Sequence, residues 1–135
     1  KKDDDKTVKV IAGKFENSEG PVKGHNVEPV YFDVEIEEGK EFNFNLPSTH
    51  NSLIYLIEGK IKVGDNSHDE VKDSNLIILT RGEKLKVSSL SKAQFLLISG
   101  KPIGEPIARG GPFVMNTKAE VLKAFSDYQE GILTK

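Results

Sequence analysis

The residues best suited to chemistry in this chain are its three histidines, because the sequence contains no cysteine. His25, His50 and His68 stand in the polar segments GHNV, STHN and NSHD, which are typical of loops. A metal site needs ligands that converge on one point, each held by a further hydrogen bond. We therefore expect the histidines to lie in separate polar loops, and His50 is the strongest candidate ligand among them.

Three further arrangements could carry chemistry. A pair of carboxylates could act on a glycosidic bond, but most Asp and Glu residues fall at predicted turns or on outer strand faces. A Ser-His-Asp triad is compatible with the composition, but no nucleophile elbow is present. Arg109-Gly110-Gly111 could bind an anion through backbone amides. A glycine pair more often permits a tight turn, which is the reading that we favour.

The length and charge of the chain restrict its class. One domain is expected for 135 residues, of which 36% are hydrophobic and 30% charged. The net charge of −2 gives no reason to expect direct binding to nucleic acid or to an anionic membrane. No apolar run approaches the roughly 18 residues that a membrane-spanning helix needs. Residues 1–6, KKDDDK, are predicted to be disordered or a linker that follows an upstream domain.

Alternating apolar residues and regular turn signals predict about nine short strands, which is typical of a sandwich or barrel. The turn at 37–40 predicts a hairpin between two of these strands. The stretch 53–57 is apolar on both faces, so we expect it inside the barrel wall. The predicted strands cover 7–12, 30–36, 41–46, 53–57, 60–63, 75–79, 84–90 and 93–99, with 67–74 as a loop or a short edge strand.

A single helix is predicted at the end of the chain, over about residues 118–130. Thr117 and Glu120 have the spacing of a capping box, and Gly131 is a plausible stop. The helix and the glycine- and proline-rich connector before it carry much apolar surface. We expect this surface to pack against the barrel or against a partner domain through Phe113, Val114, Met115, Val121, Leu122, Phe125 and Tyr128.

The stretch from Gly39 to Gly59, GKEFNFNLPSTHNSLIYLIEG, resembles the first motif of the cupin family of small β-barrels. Its glycines match the frame of that motif, which usually carries two histidines and a glutamate as metal ligands. By spacing, these ligand positions are replaced by Asn45, Pro47 and Ser52, and the histidine of the second motif is replaced by Leu85. Leucine and proline offer no side-chain donor, and neutral oxygen ligands suit a redox metal poorly.

The segments GKPIGEP and GPFVMNT, and the helix with FSDYQEG, resemble the C-terminal signature of the pirin family. The stretches YFDVEIEEG and IYLIEGKIKVG are similar to the opening strands of the second pirin domain. The resemblance implies an all-β fold, a cupin-type β-barrel or double-sheet jelly roll with one C-terminal α-helix. Residues 7–135 would form this C-terminal cupin domain.

The resemblance also implies that the two domains of such a protein have different roles. Pirins place a metal, usually iron, in their N-terminal cupin, and members have been assigned quercetin dioxygenase or transcriptional cofactor roles. No catalytic residue or cofactor can be carried over to this chain, so we expect a non-catalytic domain that supports a metal-bearing N-terminal cupin. The alternatives are part of a quercetin 2,3-dioxygenase-type enzyme, or a metal-free small-molecule binder. The expected partners are that N-terminal cupin or a second copy, in the cytoplasm or, in a eukaryote, also the nucleus.

Overall fold

In a computed structural model of the chain, residues 5–23, 26–65 and 70–134 are described. The chain divides into two compact units, Lys1–Pro102, which we call the sheet unit, and Ile103–Lys135, the C-terminal unit. In chain order the elements are β1 Lys6–Ala12, β2 Lys14–Phe15, β3 Ser18–Glu19, β4 Val30–Ile36, β5 Glu41–Asn45, β6 Asn51–Glu58, β7 Lys60–Val63, β8 Val71–Lys72, β9 Asn75–Ile78, β10 Lys84–Ser89, β11 Ala93–Gly100, β12 Ala108–Gly110, β13 Phe113–Met115 and α1 Lys118–Gln129.

The sheet unit is built from two antiparallel sheets that share one apolar core. The five-stranded sheet has the order β1-β4-β11-β6-β9, and the four-stranded sheet has the order β5-β10-β7-β8. A small third sheet pairs β2 with β3. This mostly-strand architecture with one C-terminal helix confirms the predicted fold class.

Period-2 alternation explains why these strands enclose a core. On β4, Val30, Phe32, Val34 and Ile36 are all buried, while the residues between them are partly exposed. Successive side chains on a strand point to opposite faces, so one face of the strand lies against the core. The same pattern on β5, β10 and β11 brings the apolar faces of both sheets together.

Phenylalanine rings fill the middle of this core. Phe42 of β5 lies 5.6 Å from Phe95 of β11 in an edge-to-face arrangement, and it stacks at 5.6 Å on Phe15. Phe32 meets Phe44 edge-on at 5.0 Å. Because Phe42 and Phe95 belong to different sheets, these ring contacts join the two sheets directly.

Two expectations about the strands are wrong. The strands on either side of residues 37–40 do not form a hairpin: β4 pairs with β1 and β11, whereas β5 pairs with β10 in the other sheet. The chain therefore crosses between the sheets at this turn. Second, β6 does not lie inside the wall with both faces covered, because Tyr55 and Ile57 on its outer face are 39% and 38% exposed.

The start of the sheet unit differs from the predicted linker. Lys1 to Asp4 lie outside the described residues, but β1 already begins at Lys6. The carboxylate of Asp5 lies 2.7 Å from the ammonium of Lys40, and the carbonyl of Asp5 accepts a hydrogen bond from the amide of Glu37. The end of the charged run is therefore part of the sheet unit.

The C-terminal unit consists of a short hairpin, β12 with β13, followed by α1. The predicted capping box is present, since Thr117 accepts a hydrogen bond from the amide of Glu120, and the Glu120 carboxylate accepts one from the amide of Thr117. The Thr117 hydroxyl also donates to the Glu120 carboxylate, and this bond together with that from the Thr117 amide holds the pKa of Glu120 below its usual value. Within the described residues, no helix is long and apolar enough to cross a membrane.

The glycine pair of the connector is explained by packing inside the C-terminal unit. A Cβ atom on Gly110 would lie 2.5 Å from the Cγ1 atom of Val121 and 3.2 Å from the ring of Phe125. Gly111, with a φ of +52°, turns the hairpin between β12 and β13. These roles agree with the tight-turn reading of the pair and leave no reason to invoke anion binding.

We predict that Gly59→Ala destabilises the fold far more than Gly39→Ala. Both glycines have positive φ, +94° and +72°, but a Cβ on Gly59 would lie 2.4 Å from the Lys92 carbonyl oxygen, whereas nothing lies within 4 Å of one on Gly39. The backbone conformation alone costs about 1–2 kcal/mol. Overpacking adds about 1–3 kcal/mol at Gly59. Denaturant unfolding measures both, and equal losses would contradict the role given to the close approach.

Candidate functional site

Two of the positions that the sequence aligns with cupin metal ligands, Asn45 and Pro47, lie where β5 leaves the core. Phe42 and Leu46 are buried and Phe44 is partly buried, whereas Asn45 lies exposed on the opposite strand face. Pro47 is exposed as well. Asn45 and Pro47 therefore do not face the interior, and the neighbouring positions that do face it are apolar.

The other two predicted positions do face the interior. Leu85 of β10 is buried at 5% exposure and pairs with Phe44 of β5. Ser52 of β6 is partly buried and pairs with Ser99 of β11. Leucine cannot bind a metal, and a serine hydroxyl is a weak neutral donor.

A hydrogen-bonded chain of polar side chains lies next to these positions. The hydroxyl oxygens of Ser52 and Ser99 are 2.8 Å apart, and Ser99 Oγ lies 3.2 Å from Nδ1 of His50. His50 and Ser99 are 4% and 3% exposed. The backbone amide of His50 also donates to the carbonyl of Pro47, which closes the turn that places the ring.

His50 lies in a loop, as the sequence predicts, but it is not exposed to solvent. This loop joins β5 to β6. Ser99, its partner, is not among the site residues predicted from the sequence, although alternation with Phe95 and Leu97 places Ser99 on the inward face of β11. A serine at an inward position of a buried strand was the available signal. His25 and His68 lie outside the described residues.

These side chains do not fit an iron centre. Among residues 5–23, 26–65 and 70–134, no group of three or more His, Cys, Asp or Glu side chains is placed to hold a metal ion. The donors brought together here are one imidazole and two serine hydroxyls. The inward neighbours Phe44, Leu46 and Leu85 offer no donor atom.

A cavity of about 330 Å³ opens beside His50. Its lining residues take part in two ion pairs: Lys23 with Glu19 at 3.1 Å, and Glu28 with Lys101, which does not itself line the cavity, at 3.9 Å. The residues around the cavity are Gly13, Glu19, Val22, Lys23, Glu28, Pro29, Val30, Pro47 and His50. It is a mainly apolar recess with one buried imidazole in its wall.

The predicted packing residues of the C-terminal unit separate into two groups. Phe113 contacts Phe125 edge-to-face at 5.0 Å and Tyr128 at 6.3 Å, and Val121 is buried. Leu122 does not join this packing face, because it is 70% exposed, and Ala124 is buried in its place. Val114 and Tyr128 are also largely exposed, at 58% and 67%, while Met115 is partly buried.

We predict that Ser99→Ala lowers the free energy of unfolding by about 1–3 kcal/mol, since it leaves Nδ1 of the buried His50 without its partner. Ser52→Ala is the matched control. It removes a hydroxyl from the same hydrogen-bonded chain, but Ser52 is only partly buried and its hydroxyl bonds to Ser99 rather than to the imidazole, so we expect a smaller loss. Urea unfolding of both variants checks the order, and a larger loss for Ser52→Ala would contradict it.

Comparison with known proteins identifies the family. Residues 31–134 match the family model of the pirin C-terminal cupin domain. A pirin-like protein of Caulobacter vibrioides is 39% identical over 126 residues, which cover 93% of this chain and 45% of that protein. A Pseudomonas aeruginosa protein named as a candidate quercetin 2,3-dioxygenase is 35% identical, over 93% of this chain and 46% of its own length.

Solved structures agree with this family. A crystal structure titled quercetin 2,3-dioxygenase from Acinetobacter baumannii superimposes with a TM-score of 0.86 at 28% identity, over 99% of this chain and 46% of that one. A cupin superfamily protein of Desulfitobacterium hafniense, 6% identical, has a TM-score of 0.55 over 76% of this chain and 83% of its own, which supports the fold alone. The cupin fold is thus confirmed, and the chain spans less than half the length of the Caulobacter and Pseudomonas relatives. The chain belongs to the pirin family, within which it matches the C-terminal cupin domain.

Proposed function

We propose that this chain is a non-catalytic cupin domain that supports a metal-bearing N-terminal cupin, and that it docks through the outer face of its five-stranded sheet. The observation that carries the proposal is a continuous apolar surface on that face. We call it the apolar face, and it consists of Tyr31, Leu53, Tyr55, Leu76, Ile78, Leu96 and Ile98.

Cross-strand pairing makes this surface continuous. Ile98 of β11 stands opposite Tyr31 of β4 on one side and Leu53 of β6 on the other, and Leu53 in turn stands opposite Ile78 of β9. One apolar row therefore crosses four strands. Directly opposed residues on one face of a sheet touch, so the row forms one surface rather than scattered side chains.

A second, shorter row lies beside the first. Leu96 of β11 stands opposite Tyr55 of β6, which stands opposite Leu76 of β9. Leu76 is 56% exposed and Ile78 is 78% exposed. An antiparallel sheet with one wetted face normally alternates apolar with polar residues, and large contiguous apolar patches usually mark a binding surface.

The apolar face is bordered by charged residues that are already paired. The ammonium of Lys9 on β1 lies 3.1 Å from carboxylate oxygens of both Asp33 and Glu35 on β4, and Gln94 donates to Asp33 at 2.7 Å. The hydrogen bonds to Glu35 and Asp33 raise the pKa of Lys9. An apolar centre with a polar, internally satisfied border is the usual anatomy of a protein interface.

The lengths of the relatives support a domain as the occupant. The Caulobacter protein is matched over only 45% of its length, so more than half of it lies outside the match. In a protein of that length, a second cupin would be tethered close to the apolar face, at high effective concentration. The metal is assigned to that second cupin because the inward positions found here carry no suitable donor set.

The alternative is a direct contribution to catalysis. The names of the Pseudomonas and Acinetobacter proteins favour a dioxygenase of the quercetin 2,3-dioxygenase type for the complete polypeptide. On that reading this chain would supply residues to an active site whose metal lies in another domain. A metal-free small-molecule binder is a third possibility, to which the cavity beside His50 is relevant.

We predict that the isolated chain self-associates through the apolar face, since no second cupin covers it. The double substitution Leu76→Lys and Ile78→Lys should make the chain monomeric, because burying the lysine charges in an interface costs desolvation free energy. Ile107→Lys is the matched control, since Ile107 is an equally exposed apolar residue, 76% exposed, in the C-terminal unit. Sedimentation velocity across a concentration series distinguishes the variants.

Two results would count against the docking surface. One is a clean monomer at high concentration for the unmodified chain. The other is dissociation by Ile107→Lys to the same extent as by the Leu76 and Ile78 substitutions, which would place the association outside the apolar face.

We also predict that the chain by itself binds no stoichiometric iron and consumes no oxygen with a flavonol. The physical reason is the donor set, one imidazole and two serine hydroxyls, against the three or four N and O donors that an iron site needs. Metal analysis after refolding with ferrous iron, together with oxygen uptake, tests this. Near-stoichiometric iron that is lost in His50→Ala would overturn the non-catalytic assignment and favour the enzyme.

A further inference from the structure

The cavity beside His50 has no part in the docking proposal, and its features are those of a small binding site. Pockets that bind small molecules are mostly apolar, with a few placed polar groups. Here the apolar wall includes Val22, Pro29, Val30 and Pro47, and the polar group within it is the imidazole of His50. The volume of about 330 Å³ leaves room for a molecule with one ring.

The free nitrogen of His50 is the group that a ligand would meet. Nδ1 is engaged by Ser99 at 3.2 Å, and no hydrogen bond joins Nε2 to a residue that the structure describes. In the described part of the chain, no fully buried side-chain nitrogen lacks a partner. Nε2 therefore retains contact with accessible space, and the cavity is the space that His50 lines.

The two serines allow Nε2 of His50 to act either as a hydrogen-bond donor or as an acceptor. When the Ser99 hydroxyl donates to Nδ1, the ring proton resides on Nε2, which then donates into the cavity. When Nδ1 donates to Ser99, the Ser99 hydroxyl can turn to Ser52, 2.8 Å away, and Nε2 becomes an acceptor. A hydroxyl group is the complementary ligand group, because it can both donate and accept.

The charges around the cavity favour an uncharged ligand. Lys23 is paired with Glu19 at 3.1 Å, and Lys101 lies 3.9 Å from Glu28. Each charged side chain among the described lining residues therefore already has a partner, so these residues offer no unpaired counter-ion to a carboxylate or an ammonium group. Burying a charged ligand against the apolar wall would cost desolvation free energy, and no described lining residue offers an ion pair that would offset this cost.

From these observations we propose that the recess formed by Val22, Val30, Pro47 and His50 binds a small uncharged alcohol with an apolar ring, whose hydroxyl hydrogen bonds to Nε2 of His50. Ser99 is a positioning residue, because it holds Nδ1 and so turns Nε2 toward the cavity. The site is independent of the apolar face and of any metal.

The test is an NMR titration of the full chain with benzyl alcohol, followed through the imidazole nitrogens of His50, which His50→Phe assigns by their disappearance. We expect a saturable shift of the Nε2 resonance. Toluene has the same ring without the hydroxyl, and we expect it to bind about tenfold more weakly, since a buried polar group is left unpaired. His50→Phe should weaken benzyl alcohol binding by a similar factor, read from shifts of the surrounding backbone amides.

A second variant protects the test against a folding defect in His50→Phe. Val22 is 41% exposed at the cavity wall, so Val22→Trp should fold normally, fill the recess and abolish binding. The proposal is overturned if the Nε2 shift does not saturate, if toluene binds as tightly as benzyl alcohol, or if Val22→Trp binds unchanged while its melting temperature equals that of the parent chain.

Discussion

The packing of phenylalanine rings between the two sheets is the interaction on which the rest of the molecule depends. Phe42 and Phe95 meet at 5.6 Å across the core, and both are fully buried. Each buried aromatic ring of this kind contributes a large share of core stability, since truncation typically costs about 3–5 kcal/mol. This packing fixes which face of β5 and β11 points inward, and therefore also fixes where His50, Ser52 and Ser99 can lie.

Much of this could be predicted from the sequence, because the strands carry a clear period-2 pattern. β4 and β7 have the predicted bounds, and the capping box of α1 is present as predicted. Strand pairing was harder to predict, because the chain between β4 and β5 passes from one sheet to the other. No local sequence signal distinguishes that crossing from a hairpin. The short strands β2, β12 and β13 escaped prediction because they have two or three residues each, too few to show a period.

The candidate site was predicted less well, and alternation explains the error. Counting from a glycine to a motif position takes no account of which strand face a residue occupies, so the spacing places a ligand position at Asn45 although Phe44 and Leu46 fill the interior. The polar neighbours of His50 predict a polar loop and do not indicate that its ring is buried. Its burial depends on Ser99, far along the chain, and a contact of that kind has no local sequence signature.

The distribution of polar and apolar residues is the basis for the proposal that this chain is a supporting domain. A barrel that binds a catalytic metal needs polar ligands at its inward positions. A barrel that functions without a partner needs a polar outer face that is in contact with solvent. In the described residues the inward positions near the barrel end are occupied by Leu46 and Leu85, while the outer face exposes Leu76 and Ile78. Each departure alone would be a local peculiarity. Together these two features support the proposal that this domain packs against a partner domain.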